Sequence, residues 1–544
     1  MVETLLTDYD RLLRRAVADA GVAAEAAKVP DPSAKWVLGG GHAVHRPLPA
    51  LAMAYFDPLS ERAGEPALWD RLDALTGLFG RFQHADGLID LHASNFHSPP
   101  DAAFMVADLV PLHEVLRETV KASPERDAVL GRLEPVIVAA CEAMSRGGVH
   151  TPNHRWKLAS ALLLADAVWP HDAWRAEAQA YLDEGIDIDA DGEFTERSTG
   201  CYNETCNRSL ILMGRTLRRA DLLACADRNL EHMLDLLHAD GTLVTSYSRR
   251  QDRRTTVGVE RHLLTYWYRA MTAGNGRFLS AAALGLERID RAGGRIGHLA
   301  TWLRYLREAA EAAPPEPVQL PAACDARFEG AGVVRRRRGE LSLTLMARWD
   351  DFLSVRFGAG PDVTVRLAAG FAPRGQFLAD EVAGADGRYR LRSHHACEYY
   401  GPGPDPLPAG DWRERASFAR RVFVGAELTL QVDVEHVGDG LRLRLSSDGC
   451  PRVPLELAFT IRDAESVTPS RAAESDQAAG KSFLNGGELV LRGPGHVVRI
   501  GPGAAEHGLT RIPTADADAP PGAWCIRLAT PVEATIGITA EAAR

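Results

Sequence analysis

The sequence predicts an α+β protein with two domains: an N-terminal α/α toroid, an incomplete barrel of helical hairpins, and a C-terminal antiparallel β-sandwich. Residues 1–312 contain successive segments whose apolar residues recur at three- and four-residue spacing, which is typical of amphipathic helices. Residues 313–324 hold four prolines and read as a linker. Residues 325–544 consist of short segments with period-two alternation, broken by Gly, Asp and Pro, which is typical of antiparallel strands. A chain of 544 residues is also too long for one ordinary core.

A short phrase recurs between the predicted helices. It appears as HADGLID at 84–90, DADGEFT at 189–195 and HADGTLVT at 238–245. Each copy follows a helical stretch, and its Asp-Gly pair favours a turn with a positive φ angle at the glycine. Repeated helical hairpins whose loops share one phrase predict a stacked array, as in a toroid.

The second half predicts about ten or more strands, which favours a sandwich over a parallel sheet. Several of these segments are rich in arginine, as in VVRRRR at 333–338. We expect their arginines to face solvent.

Composition excludes several classes of function. The net charge of −11 argues against general binding of nucleic acid or of anionic membranes. No run of eighteen apolar residues predicts a membrane span, and the amphipathic N-terminus lacks the apolar core of a signal peptide. We therefore expect a cytoplasmic protein, or a secreted one if a leader has been removed. The eight cysteines form no CxxC pair, so a zinc site built from thiolates is not predicted. No cofactor is predicted, and a structural divalent metal is left open.

Two polar segments carry the candidate chemistry. The first is PNHRW at 152–156, where a glycine-rich loop leads into a helix, and the second is the poorly periodic run at 189–208. Removal of a proton beside a sugar carboxylate requires the carboxylate charge to be neutralised as an enolate forms. We expect Asn153, with Arg197 or His154, to neutralise it, and Tyr202 to accept or donate the proton.

Further candidates surround this set. Glu196 is expected to pair with a cation, and Trp156 either belongs to the core or stacks on a sugar. The loop at 92–104 offers Asn95 for binding and His97 as an acid or base. Two arginines of the segment at 246–262 are a candidate subsite for an acidic sugar, because guanidinium groups bind carboxylates in bidentate fashion; they are Arg249 and Arg250.

PNHRW followed by DGEFTERSTGCY resembles the heparinase II/III-like branch of the α/α-toroid polysaccharide lyases. Asn153 and His154 match its Asn-His pair, and a DGxxxExSxxY-type segment is matched by Asp191, Gly192, Glu196, Ser198 and Tyr202. Three residues instead of two separate Ser198 from Tyr202, and Asn203 replaces the histidine that often follows the tyrosine. The resemblance also implies a histidine from the sandwich, for which the segment at 392–403 offers candidates that we assign to substrate binding: His394, His395 and Tyr399.

The leading hypothesis is therefore a lyase that cleaves the bond at the 4-position of a uronic acid by β-elimination, with an acidic oligosaccharide as its partner. Two alternatives stay open: a glycoside hydrolase on a similar toroid that acts on acidic oligosaccharides, and a sugar-binding protein without catalysis. Hydrolysis would need two carboxylates across the bond, and no second acid is marked by spacing. The sequence predicts no oligomeric state.

Overall fold

The structure, a computed structural model, describes residues 2–31, 33–34, 36–401, 422–471, 473–478, 480–516 and 518–542. It divides into two compact units: unit 1 comprises residues 1–237 and 241–320, and unit 2 comprises residues 238–240 and 321–544. Residues 313–322 contain no helix or strand. The boundary at Leu320 and Pro321 thus falls inside the segment that the sequence predicts as a linker.

Unit 1 is built from helices, with one small hairpin. Its described α-helices, α1 to α15 in chain order, are Val2–Thr7, Tyr9–Ala26, His42–His45, Leu48–Phe56, Pro66–Gly77, Phe79–Phe82, Pro99–Thr119, Pro124–Met144, Pro152–Val168, Asp172–Asp183, Tyr202–Leu217, Ala220–Asp235, Leu263–Ala273, Gly276–Arg291 and Ala300–Tyr305. The hairpin strands are β1 (Ile89–Leu91) and β2 (Asn95–Ser98).

Consecutive long helices form hairpins. The first helix of each hairpin also packs against the first helix of the next hairpin. The hairpins are α7–α8, α9–α10, α11–α12 and α13–α14, while α9 packs against both α7 and α11, and α11 packs against α13. Side-chain caps fix several helix starts. The Ser98 and Ser123 hydroxyls accept a first-turn backbone N–H from Asp101 and Arg126 respectively, each at 3.2 Å, and a proline follows each serine.

The recurring phrase forms the same turn three times. Gly87, Gly192 and Gly241 have φ angles of 90°, 86° and 79°, which confirms the positive φ expected at each Asp-Gly pair. Each turn is closed by an isolated antiparallel bridge between residues six apart, namely Gln83–Ile89, Ile188–Phe194 and Leu237–Leu243. The three copies of the sequence motif therefore form the same turn, which follows a helix and leads to the next hairpin.

The second of these turns is fastened to α12 by a buried ionic cluster. Glu193 accepts hydrogen bonds from His232 Nε2 at 3.0 Å and from the Tyr247 hydroxyl at 2.6 Å. Burial alone would raise the pKa of Glu193, but the positive charge and hydrogen bond of His232 outweigh it, so the pKa is lowered. Burial likewise opposes the charge on His232, and Glu193 reverses this and raises the pKa of the imidazole. Each group therefore stabilises the ionised form of the other.

Unit 2 is a sandwich of two sheets. Its described strands, β3 to β19 in chain order, are Ala323–Phe328, Val333–Arg338, Leu341–Met346, Asp351–Phe357, Gly360–Ala369, Val382–Ala385, Arg388–Tyr400, Val422–Val437, Gly440–Gly449, Pro454–Arg462, Ser466–Pro469, Glu474–Asp476, Lys481–Phe483, Leu489–Gly493, His496–Gly501, Trp524–Ala529 and Glu533–Ala542.

The eight-stranded sheet has the order β13-β16-β17-β19-β11-β10-β9-β8, and the nine-stranded sheet has the order β14-β15-β18-β12-β7-β6-β5-β4-β3. The pairings are antiparallel except for the short parallel pair β15–β18. One apolar core contains side chains from both sheets, such as Leu343 and Phe352 from one and Leu391 and Val432 from the other.

The arginine-rich strand β4 differs from the expectation of solvent-facing arginines. Arg335 is only 1% exposed. Its guanidinium donates to the Leu343 carbonyl, the Thr344 hydroxyl and the Ser342 hydroxyl, each at 2.9 Å. Hydrogen bonds to the neighbouring strand β5 thus replace water around this cation. Among the described residues, no helix has the length and hydropathy required to cross a membrane.

We expect Glu193→Gln to destabilise the chain by about 2 kcal/mol, because it removes the charge that holds the buried His232 imidazolium. The difference from the natural chain should be largest between pH 4.5 and 6.5, the ordinary pKa values of the two groups. Below that window the lowered pKa of Glu193 is eventually crossed, and above it the raised pKa of His232 is crossed, so either change erodes the ion pair. The measurement is the midpoint of thermal unfolding by calorimetry at several pH values.

Glu184→Gln is the matched control. Glu184 pairs with Arg155 at 2.9 Å, but its side chain is 51% exposed, so the expected loss is below about 1 kcal/mol. Equal losses for the two variants would show that burial of the Glu193 pair has no energetic consequence.

Candidate active site

The first polar segment lies at the start of α9, where the glycine-rich loop enters the helix. Gly148 has a φ angle of 125°, and a Cβ there would lie 2.3 Å from Pro99 Cγ. The loop therefore needs a residue without a side chain at this position. Pro152 is the first helical residue, which places Asn153 and His154 in the first turn. There the backbone N–H groups lack partners within the helix.

Glu196 supplies the missing partner for that helix start. Its Oε2 accepts the backbone N–H of Asn153 at 2.9 Å, and its two oxygens lie 2.9 and 2.7 Å from Asn153 Nδ2. A carboxylate at a helix N-terminus is also stabilised by the helix dipole. Glu196 is 5% exposed and Asn153 is fully buried. The structure therefore places the two polar segments in direct contact.

The amide nitrogen of Asn153 is occupied by these bonds and by a contact with the Thr151 hydroxyl at 3.2 Å. This differs from the expectation that the amide is directed at a substrate carboxylate. Its Oδ1, in contrast, is buried and has no hydrogen-bond partner among the described residues. Asn153 thus orients Glu196 and leaves one acceptor unused.

Arg250 joins Glu196 to the predicted tyrosine. One guanidinium nitrogen lies 2.7 Å from Glu196 Oε1, and its Cζ lies 4.7 Å from the centroid of the Tyr202 ring. Within the described part of the chain, the guanidinium has no other ion pair or hydrogen bond, and its side chain is 27% exposed. The Tyr202 hydroxyl accepts a hydrogen bond from Gln251 Nε2 at 2.7 Å. Asn153, Glu196, Arg250 and Tyr202 consequently form one connected set.

Asp252 holds the two loops that carry this set. Its carboxylate accepts hydrogen bonds from the Ser198 hydroxyl at 2.8 Å, the Ser248 hydroxyl at 2.6 Å and the backbone N–H of Gly200 at 2.9 Å. The Ser198 hydroxyl in turn accepts the backbone N–H of Tyr202 at 3.1 Å. This buried carboxylate fixes the start of α11 relative to the segment that contains Arg250.

His154 lies beside this set as a neutral imidazole. It is 7% exposed, its ring packs edge-on against His150 with centroids 4.6 Å apart, and its Nδ1 has no hydrogen-bond partner among the described residues. Burial lowers the pKa of His154 to about 4, assisted by His150 and Arg250 and opposed by Asp101. An unprotonated imidazole nitrogen is therefore present at neutral pH.

The β1–β2 hairpin carries the predicted Asn95 and His97. Asn95 Nδ2 donates to Asp101 at 2.8 Å, and Asp101 also lies 2.6 Å from His42 Nε2. Burial alone would raise the pKa of Asp101, but these bonds and that from Ser98 lower it to about 2. His97 lies on the surface, with its side chain 57% exposed and its Nδ1 2.6 Å from Asp86. This hydrogen bond raises the pKa of His97.

Two other predicted residues are Trp156 and Arg197. Trp156 is fully buried and donates its indole N–H to Asp187 at 2.7 Å, so its ring belongs to the core and offers no surface for sugar stacking. Arg197 has a left-handed backbone with a φ angle of 47°. Its carbonyl accepts the backbone N–H of the exposed Arg249 at 3.0 Å, which ties the two loops together.

The predicted residues of unit 2 all lie on β9. His395 is buried, with its ring nitrogens 3.1 Å from the Ser393 hydroxyl and 3.1 Å from the Arg374 carbonyl, and burial lowers its pKa. His394 and Tyr399 are exposed, and His394 Nδ1 lies 3.3 Å from the Thr429 hydroxyl. Their contribution to substrate binding stays a prediction.

Sequence reasoning missed Gln251 and Asp252, and it assigned Arg250 only to substrate binding. All three belong to SRRQD at 248–252, which follows the third Asp-Gly turn. Like the first two polar segments, this third segment lies at a junction between two helices. That shared position is the signal that could have identified its residues.

No family model and no curated protein matches the chain. Among solved structures, it is similar to a chondroitin AC lyase from Streptomyces coelicolor A3 in complex with chondroitin sulphate, with a TM-score of 0.52 and 14% identity over 98% of this chain and 80% of that one. It is also similar to the heparan sulfate lyase HepC from Pedobacter heparinus, with a TM-score of 0.49 and 11% identity over 96% of this chain and 83% of that one. A Paenibacillus xanthan lyase has a TM-score of 0.49 and 10% identity over 98% of this chain and 55% of that one. The first likeness confirms the predicted fold class, a helical toroid followed by an antiparallel β-sandwich, which is the fold of that polysaccharide lyase.

Proposed function

We propose that the chain is a polysaccharide or oligosaccharide lyase that cleaves the bond at the 4-position of a uronic acid by β-elimination. The observation that carries the proposal is the connected set of Asn153, Glu196, Arg250 and Tyr202, with His154 beside it. Together with His154, the set provides a partly exposed cation, a phenol and a neutral imidazole within one unit. The likeness in fold to a chondroitin AC lyase supports the same reaction class.

Each group has a role in this reaction. The free donors of Arg250 bind the uronate carboxylate and stabilise the charge that develops as the proton leaves C5. His154, neutral at physiological pH, accepts that proton. The C5–H electron pair forms the C4–C5 double bond, the C4–O bond breaks, and the Tyr202 hydroxyl protonates the departing oxygen. Glu196 and Asn153 hold Arg250 in place.

The substrate is an acidic oligosaccharide in this proposal, and uronate polymers or their fragments supply the required chemistry. The cytoplasmic location inferred from the sequence stays a prediction, as do the role of His97 as an acid or base and the roles of Asn95 and Arg249 in contacting the substrate.

We expect Tyr202→Phe to lower kcat by about 10²- to 10⁴-fold with little change in KM, because the phenol acts on the transition state and not on binding. The assay follows the rise in ultraviolet absorbance of the unsaturated uronate on a panel of 4-linked uronate oligosaccharides. Tyr55→Phe, an aromatic pair member with Trp69 elsewhere in unit 1, is the control and should leave kcat unchanged. New reducing ends without an absorbance rise would identify the hydrolase alternative. Binding without turnover would identify the sugar-binding alternative.

Replacement of Arg250 by lysine should lower kcat/KM by about 10²-fold or more, because an ammonium group cannot contact Glu196, the Tyr202 ring and a carboxylate with the same fork of donors. Arg175→Lys is the matched control, since Arg175 is a half-exposed arginine of α10 paired with Asp166 at 2.9 Å. Turnover by Arg250→Lys at the rate of the control would remove Arg250 from the mechanism.

The pH profile tests His154. Because its pKa is lowered to about 4, kcat/KM should not fall as pH decreases from 7 towards 5, and should fall tenfold per pH unit below about pH 4 as the imidazole gains its proton. In His154→Gln the activity should drop at all pH values and this acidic limb should disappear. An acidic limb near 6.5, or one that persists in His154→Gln, would contradict the assignment.

A further inference from the structure

Unit 1 contains a cavity of about 600 Å³ that the proposed reaction does not use. Its volume is within the range of sites that bind small ligands. It is lined by α11, by residues 256–264 and by the connection from α14 to α15. We call it the Arg208 cavity, and the lining residues that matter below are Glu204, Arg208, Arg261, Arg288, Arg295 and Trp302.

Two arginines of the Arg208 cavity have unused donors. Arg208 Nε lies 3.3 Å from Glu204 Oε1, and the guanidinium stacks over the Trp302 ring at 5.2 Å. In the part of the chain that the structure describes, this guanidinium makes no hydrogen bond, and its Nε is buried. The Arg261 guanidinium contacts a thiol, with one of its nitrogens 3.7 Å from Cys201 Sγ.

The other two arginines are engaged by carboxylates. Arg288 lies 2.6 Å from Glu260, and Arg295 lies 3.2 Å from Asp19. Four arginines therefore face three carboxylates, counting Glu204, so the cavity has an excess of positive charge. Arg208, whose side chain is 21% exposed, is a partly buried cation without a full set of hydrogen bonds, which is unfavourable unless an anion binds to it, whereas Arg261 is an exposed residue. The fork of donors on Arg208 and Arg261 matches a carboxylate or a sulfate.

Apolar side chains form the rest of the wall, among them Leu264, Ile289 and Leu299. A pyranose ring presents C–H groups to such a wall while its acidic group reaches the arginines. The cavity also adjoins the candidate active site, because Glu204 lies in the first turn of α11, which begins at Tyr202, and Arg261 contacts Cys201.

We propose that the Arg208 cavity binds the carboxylate or sulfate of an acidic sugar residue, held by Arg208 and Arg261. The further identification of that residue as a neighbour of the uronate undergoing elimination rests on the proposed function. The cavity is then a specificity site that selects saccharides with a second anionic residue.

The test is titration calorimetry of the full chain with three probes: glucuronate, glucose 6-sulfate and glucose. We expect at least one anionic probe to bind about tenfold or more tightly than glucose. Whether glucuronate or glucose 6-sulfate binds more tightly shows whether the site prefers a carboxylate or a sulfate ester. Arg208→Gln and Arg261→Gln should each weaken that binding by about tenfold or more, since each removes a charged hydrogen-bond donor. Arg295→Gln, whose arginine already has a carboxylate partner, should change it less than twofold.

Arg208→Lys tests whether the loss of binding in Arg208→Gln comes from misfolding, because lysine keeps the positive charge and the packing of the aliphatic part of the side chain. It should unfold at the same temperature as the natural chain and recover part of the binding lost in Arg208→Gln. Equal binding of glucose and both anionic probes, or unchanged binding in both glutamine variants, overturns the proposal. Because monosaccharides contain no bond to cleave, this result is independent of the elimination assay: failure of elimination with intact binding overturns the proposed function and leaves the cavity site standing.

Discussion

The candidate site depends on the carboxylate of Glu196. It is almost fully buried, yet it satisfies the helix start at Asn153 and the charge of Arg250 at the same time. A buried carboxylate would be unfavourable alone, and here it has two neutral hydrogen-bond donors, a backbone N–H and a side-chain amide, and one cation, a guanidinium. Asn153 and Glu196 lie 43 residues apart in the chain, and the two polar segments are joined through this one side chain.

The sequence predicts much of the fold because the fold follows from repeated local signals. The three Asp-Gly phrases have the same positive φ and the same six-residue bridge, so each can be recognised without tertiary information. The change from helical to alternating periodicity likewise predicts a helical part followed by a part built from antiparallel strands, which is the observed order of elements. Local signals of this kind do not depend on which distant residue becomes a neighbour.

The details of the site are less accessible from the sequence because they depend on such neighbours. Asn153 and Tyr202 were identified from the residue types and from the family resemblance, but nothing local indicates that Glu196 occupies the amide donors of Asn153. Trp156 has the same local pattern whether its indole faces a sugar or Asp187. Arg335 in β4 is a second example. The alternation of apolar and polar residues predicts which face of the sheet it lies on, but not the hydroxyl and carbonyl groups that surround it.

The Asp252 carboxylate has a mechanical consequence. Because it accepts hydrogen bonds from Ser198, Gly200 and Ser248 together, it links the loop before Tyr202 to the loop that contains Arg250. A shift of either loop on ligand entry must carry the other with it or break these bonds. The spacing between the ring of Tyr202 and the cation of Arg250 therefore depends on Asp252 as well as on the two residues themselves, and exchange of one loop between related chains would require exchange of its companion.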